Sequence, residues 1–247
     1  MNRLLVEPPA TGIWNMAVDE SLLSSAANYP GTSTLRFYQW SEPTLSLGYF
    51  QQFEDRKNHA ESIACPLVRR STGGGAIVHD RGELTYSLTT HVKNRLSRDM
   101  ENLYLMIHEA LIESLKSWGV YCQFCEPRTT NRPANQPFLC FQRRSNGDVL
   151  WGNSKVAGSA QRRQKNGILQ HGSVLFRISQ HAPQLPGIEQ LNSVKIDVFQ
   201  LIQRWKLQIE KHFGVSFHES ELYDEEIDCA KSLVQDRFDH EKWTMRR

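Results

Sequence analysis

No run of apolar side chains in the 247 residues is long enough to span a bilayer, and none has the build of a secretory leader. No membrane partner is expected, and the expected location is cytoplasmic. Paired cysteines are missing too. Cys65, Cys122, Cys125, Cys140 and Cys229 are odd in number and widely spaced, which suits reduced thiols better than a disulfide framework. Nor is there an excess of one charge. With Lys+Arg 29 against Asp+Glu 27, the net charge of +2 supplies no field that would by itself hold a nucleic acid. Internal repeats, low-complexity runs and long linkers are likewise absent, so nothing divides the chain.

What is present is a mixed order of short strands and amphipathic helices. Strands are expected over Leu4 to Val6, Thr34 to Trp40 and Thr44 to Tyr49, and a helix over Ile13 to Ala27. A short polar helix is expected over Glu54 to Ile63. The glycine-rich stretch Val68 to Asp80 leads through Asp80-Arg81-Gly82 into an alternating strand, Glu83 to Val92, and the two read as a hairpin. Met100 to Trp118 carries one buried helical stripe, Leu103, Met106, Ile107, Ala110, Leu111 and Leu115. Arg128 to Phe138 reads as a polar loop. Strands over Lys155 to Gln161 and Ile168 to Phe176 flank Asn166-Gly167, a short hairpin signal that would pair Gln161 with Gly172 and Arg162 with His171. Lys155, Ser159 and Gln161 then share a face. The tail, 196–247, reads as a helical C-terminal extension, with a stripe from Val198 to Ile209 ended by Gly214 and a helix near Tyr223 to Val234. Together these predict one α+β domain over 1–247, a mixed, largely antiparallel sheet packed by helices.

The chemistry concentrates in Arg69-Arg70-Ser71-Thr72-Gly73-Gly74-Gly75-Ala76-Ile77-Val78-His79-Asp80. Successive glycines let the backbone approach a ligand closely, and the arginines add fixed charge and fork-shaped donors. Such a loop can cradle a carboxylate, a thioester oxygen or a phosphate. This stretch closely resembles the Arg-Arg-x-x-Gly-Gly-Gly-x-Val-x-His-Asp signature of the lipoate-protein ligase and octanoyltransferase superfamily, with Ile77 in place of valine. Trp14-Asn15-Met16-Ala17 with Asp19-Glu20, and Pro43-Thr44-Leu45-Ser46-Leu47-Gly48, resemble its opening helix and second strand. Ser154-Lys155-Val156-Ala157-Gly158-Ser159-Ala160-Gln161 and Leu169-Gln170-His171-Gly172-Ser173 resemble its lysine-bearing strand and the strand after it. The resemblance covers roughly residues 3–176.

It implies a catalytic domain of the lipoate/biotin ligase kind, with Lys155 reaching the acyl carbonyl. An ammonium there stabilises the oxyanion of a tetrahedral intermediate. It also implies substrate-binding roles for Arg70, Ser71, Gly73, Gly74, Gly75 and His79, and for Gly158, Ser159, Ala160, His171 and Gly172. Structural roles, bonding backbone near turns, remain open for both histidines. Cys140 separates the subclasses. Cysteine suits a thioester donor because acyl exchange between thiols needs no ATP, and Leu139-Cys140-Phe141 resembles the Cys-Phe pair of the cysteine-dependent octanoyltransferase branch. That branch continues with an acidic residue, whereas Gln142-Arg143-Arg144 follow here. Cys122-Gln123-Phe124-Cys125 lacks a second pair, so structural thiols rather than a metal site are expected.

The expectation is therefore an acyltransferase with no cofactor, in which Cys140 takes an octanoyl or lipoyl group from acyl carrier protein. A lysine of a lipoyl-domain protein, the glycine cleavage H protein or a dehydrogenase E2 subunit, then receives it. The acyl chain would lie in a slot between sheet and helix. The alternative is an ATP-dependent lipoate-protein ligase acting through lipoyl-adenylate, with ATP, Mg²⁺ and Asp148 as the cofactor-binding residue. A non-catalytic subunit that merely docks lipoyl domains is a third reading, disfavoured by the intact Arg70, Gly73 to Gly75 and Lys155.

Overall fold

The computed structural model describes residues 2–92, 97–126 and 136–247. The chain opens with β1 (Asn2–Val6), α1 (Gly12–Asn28), β2 (Ser33–Tyr38) and β3 (Thr44–Leu47), followed by β4 (Leu67–Arg69), β5 (Ile77–His79) and β6 (Glu83–His91). Then come α2 (Ser97–Leu115), β7 (Gln123–Phe124), β8 (Val149–Trp151), β9 (Ser154–Gln164) and β10 (Gly167–Leu175). The chain ends with α3 (Ile188–Asn192), α4 (Val198–Phe213), β11 (His218–Glu219), α5 (Asp224–Leu233) and α6 (Glu241–Thr244). Eight strands form one sheet in the order β11-β1-β2-β6-β10-β9-β8-β7, parallel at β11-β1 and β1-β2 and antiparallel from there on. Three more, β4-β3-β5, form a second, small sheet. The α+β expectation holds, with a mixed and largely antiparallel main sheet.

Strand alternation decides what each face holds. Leu35, Phe37, Leu84, Tyr86 and Leu88 pack with Ile107 and Leu111 of α2 and with Trp205 and Ile209 of α4. The intervening residues Arg36, Tyr38 and Ser87 turn the other way and meet Asp19 of α1. That helix is buried on nearly every side, and Thr11 caps its start by accepting from the Trp14 amide. Helix α4 is capped by Asp197 and ends at Gly214, whose φ of 63° is left-handed.

Three local expectations are corrected. Asp80-Arg81-Gly82 makes a corner between sheets, not a hairpin: β5 pairs with β3 while β6 joins the main sheet beside β2. The β9-β10 turn is Lys165-Asn166, one position earlier than expected, so Gln161 faces Gln170 and His171 faces Ala160. The reason lies at Gly167, where a Cβ would sit 2.9 Å from the Leu23 carbonyl oxygen of α1. That glycine serves helix packing, and Lys165 takes the left-handed turn position, φ 51°. A one-position move of the turn slides the pairing by two residues, which leaves each side chain on its expected face. Finally, the expected helix over Glu54 to Ile63 is two 3₁₀ segments, Phe53–Asn58 and Ala60–Ser62. The expected loop over Arg128 to Phe138 lies, up to residue 135, outside the described residues.

Candidate active site

The short segment Leu139-Cys140-Phe141 is built so that its middle residue faces a pocket. Leu139 is buried in the small-sheet core with Leu45, Leu47, Ala76 and Val78, and Phe141 is buried on the other side. Between these anchors the Cys140 amide donates to the Ala76 carbonyl at 2.7 Å, and the Ala76 amide donates to the Phe138 carbonyl at 3.0 Å. The cysteine is thereby tied to the end of the glycine loop. Gly74 holds a left-handed φ of 95°, and a Cβ there would lie 2.9 Å from an Arg70 nitrogen and 3.9 Å from Cys140 Sγ. The loop's shape comes from Arg70, whose guanidinium donates to the carbonyls of Gly73 (2.8 Å), Gly75 (2.6 Å) and Ser46 (2.9 Å). Burial, first of all, pushes that guanidinium down to about 10. It is a brace for the loop, with its fork turned to backbone oxygens.

Lys155 reaches the same place from β9. Its Nζ lies 4.0 Å from Cys140 Sγ, 2.8 Å from Asp148 Oδ2 and 5.4 Å from the centre of the Phe141 ring. Asp148 precedes β8, and the Gly152-Asn153 turn with a register shift between Val149 and Leu150 folds it back onto the lysine. Tyr104 hydroxyl donates to Asp148 Oδ1 at 3.0 Å, and the Ser145 amide donates to Oδ2 at 2.7 Å. Both oxygens of this buried carboxylate are therefore engaged. A Cβ on Gly158 would meet Lys155 Cε at 2.4 Å, so only glycine leaves the lysine its path.

Of the residues expected from sequence, the pocket wall contains Arg70, Gly74, His79, Cys140, Lys155, Gly158, Ser159, Ala160, His171 and Gly172. Ser71, Gly73, Gly75 and Asp148 stand behind it. Ser71 accepts from Arg162 through its carbonyl (2.8 Å), Gly73 faces Phe50, and Gly75 backs onto Arg143. Met16, Tyr38, Ile77, Thr85, Phe141 and Ser173 complete the lining around about 470 Å³ of space, open mouth included. Its walls come from both sheets, from the glycine loop and from the 3₁₀ turn Cys140–Gln142, with Met16 contributed by α1.

Most of the polar lining atoms are bonded within the wall. His79 Nδ1 donates to Glu83 at 2.7 Å and its ring stacks on Trp40 at 3.7 Å. His171 joins Asp19 through Nδ1 (2.9 Å) and the Thr72 hydroxyl through Nε2 (2.7 Å). Asp19 also accepts from Arg36, Tyr38 and Ser87. Burial opposes its ionisation, yet the His171 hydrogen bond and the Arg36 charge hold its carboxyl below the ordinary value. Thr85 Oγ1 bonds Glu83 and accepts from Trp40. What such a pocket offers a ligand is mostly carbon, with a thiol and an ammonium at one end.

A second chain of bonds was not anticipated. His108 of α2 donates from Nδ1 to the Gly147 carbonyl at 2.7 Å, so in the neutral ring Nε2 accepts from Ser159 Oγ at 2.5 Å. Tyr86 then donates to Ser159 (2.6 Å), Gln170 to Tyr86 (2.7 Å) and Gln161 to Gln170 (2.7 Å). The signal was available, because Tyr104 and His108 are polar residues at helical spacing on the stripe that continues through Leu111 and Leu115. Burial, aided by the Lys155 charge, pushes the His108 imidazole down to about 4 from an ordinary 6.5. The unfolded chain therefore takes up this proton first, and stability should fall as pH drops from about 6.5 toward 4. Denaturant midpoints measured over that interval should decline more steeply in the native chain than in His108→Gln. Equal slopes would contradict this.

Among the described residues no three or more His, Cys, Asp and Glu are grouped to hold a metal ion, and no helix is long and apolar enough to cross a membrane. Cys122 and Cys125 are buried free thiols.

A family model described as lipoyl protein ligase A/B catalytic domain matches residues 12–201. The octanoyltransferase LipM of Carboxydothermus hydrogenoformans is 30% identical, covering 96% of this chain and 95% of that protein. The octanoyltransferase LipM of Clostridioides difficile is 32% identical over 96% and 95%. Among solved structures, a putative lipoate protein ligase from T. acidophilum with bound lipoic acid superposes with a TM-score of 0.80 at 22% identity, covering 99% of each chain. A lipoate-protein ligase A bound with ATP gives 0.76 at 22% identity, covering 99% of this chain and 98% of that one. At that identity the two structures speak for the fold.

Proposed function

The chain belongs to the lipoyl protein ligase A/B catalytic domain family, and from that premise we propose that it is an octanoyltransferase working through a thioester on Cys140. The observation that carries the reading is a cysteine sulfur 4.0 Å from a buried lysine ammonium, at one end of a pocket whose accessible wall is mostly carbon. Near 30% identity to octanoyltransferases over almost the whole length supports the same activity.

In the first step the Cys140 thiolate attacks the carbonyl carbon of an octanoyl thioester carried by acyl carrier protein. A C–S bond to Cys140 forms, the donor's C–S bond breaks, and the donor thiol leaves with a proton. Lys155 stands where the oxyanion develops and stabilises it, held in place by Asp148. In the second step an uncharged lysine amine of a lipoyl-domain protein attacks the acyl-enzyme. A C–N bond forms, the C–S bond breaks, and the thiol is restored. The octanoyl chain lies between the sheets, where burial contributes about 0.8 kcal/mol per CH₂ group.

An adenylating route would ask Asp148 to hold a nucleotide's metal. In this structure its Oδ1 accepts from Tyr104, and its Oδ2 from the Ser145 amide and the Lys155 ammonium, an arrangement that supports a role in holding the lysine.

The test is to incubate the purified chain with octanoyl-acyl carrier protein and an unmodified lipoyl domain without ATP. The lipoyl domain should gain the mass of one octanoyl amide. Modification that appears only with ATP and free lipoate or octanoate would overturn the reading.

A further inference from the structure

Behind the glycine loop, a cluster of arginines gathers on aromatic rings. Arg246 Cζ lies 4.2 Å from the centre of the Tyr49 ring, and Arg162 and Arg247 lie 5.9 Å from it. Arg247 also covers Phe50 at 5.4 Å, a phenylalanine left 66% exposed. Arg162 has a carboxylate near it, Glu20 at 3.7 Å, which is shared with Arg237. Arg246 and Arg247 enter no ion pair among the described residues. This gathers guanidinium charge beside an exposed ring.

The position of the patch matters as much as its charge. The Tyr49 amide donates to the Thr72 carbonyl at 2.8 Å, and Arg162 donates to that of Ser71 at 2.8 Å. A Cβ on Gly73 would sit 3.8 Å from Phe50, and one on the next residue, Gly74, 3.9 Å from Cys140 Sγ. Bond geometry then puts the Phe50 ring within about 15 Å of the sulfur. The patch thus rests against the loop that shapes the pocket.

We propose that Tyr49, Phe50, Arg246 and Arg247, with Arg162, form the docking surface for an acidic carrier protein whose acyl thioester hangs on a flexible phosphate-linked arm. Guanidinium forks suit phosphate and carboxylate, and the exposed Phe50 offers an apolar anchor at the centre of the contact. The arm carries its thioester past Gly73 and Gly74 to Cys140. An acceptor lysine has only its own four-carbon stem to bridge the same gap, so its protein must sit over the pocket mouth instead. The assignment rests on the transferase reading and gives it a side from which the donor arrives.

The experiment is steady-state transfer by the full chain and by R246E/R247E, whose backbone bond from the Phe53 amide to the Arg247 carbonyl survives the change. KM for the octanoyl carrier should rise about tenfold at low salt, with the gap narrowing as salt is added, while KM for the lipoyl-domain acceptor holds. The preference for carrier-borne octanoate over an octanoyl thioester of a short, phosphate-free thiol should fall by a similar factor. F50S, which alters no charge, should raise the carrier KM without removing its salt dependence. A rise in the acceptor KM alone would hand the patch to the acceptor and overturn the proposal, as would unchanged carrier KM in both variants. If the native chain forms no octanoyl adduct on Cys140, the transferase reading fails, and this assignment fails with it. An adduct in the native chain with unchanged carrier KM sinks the docking surface alone.

Discussion

Replacing Cys140 by alanine or serine is expected to lower octanoyl transfer on the order of 10³-fold or more, with no measurable change in thermal unfolding. The size follows from chemistry: the proposed route makes and breaks its covalent bond at this sulfur, and a serine hydroxyl does not ionise at neutral pH. The unchanged stability follows from packing. Cys140 is only partly buried, and the segment is held by Leu139, Phe141 and the Cys140 backbone amide, none of which the substitution touches. Turnover under saturating donor and acceptor, together with a melting curve, checks both halves. A Cys140→Ala chain that keeps most of its activity would remove the cysteine from the mechanism.

Lys155→Met should have two separable effects. Transfer should fall about 10²- to 10³-fold, because the ammonium that meets the developing oxyanion is gone. Stability should fall by about 3–5 kcal/mol, because Asp148 is left as a buried carboxylate with hydrogen bonds but no counter-charge. Adding Asp148→Asn, whose carbonyl oxygen accepts from the Ser145 amide while its NH2 donates to the Tyr104 hydroxyl, should restore most of the stability and none of the activity. Urea unfolding and single-turnover acylation read the two quantities independently. Activity recovered in the double variant would mean that Lys155 acts by holding the fold.

What the sequence revealed and what it hid follow from separation along the chain. The glycine loop, Cys140 and Lys155 each announce themselves within a few consecutive residues, where neighbours carry the pattern. Helix α2 and the β9-β10 pair were equally plain, from a helical stripe and from a turn signal between strands. The bonds that build the site behind these residues join distant segments. Asp19 meets His171 across 152 positions, Thr72 meets His171 across 99, and His108 meets Ser159 across 51. No local periodicity encodes such pairs. Asp148 shows the same limit in another way: its place before Lys155 was visible, but spacing alone does not say whether a carboxylate turns to a nucleotide's metal or to a lysine. In the fold the carboxylate lies 2.8 Å from the Lys155 ammonium, a contact that no spacing encodes. Gly167 and Asp80 depart from the commonest use of a turn-forming residue, since one serves helix packing and the other a corner between sheets.

The most direct test of the central claim is the intact mass of the purified chain after mixing with octanoyl-acyl carrier protein in the absence of ATP. A single octanoyl adduct, removed by hydroxylamine and missing in Cys140→Ala, is the predicted result. No adduct on the native chain, or one that persists in Cys140→Ala, would contradict it.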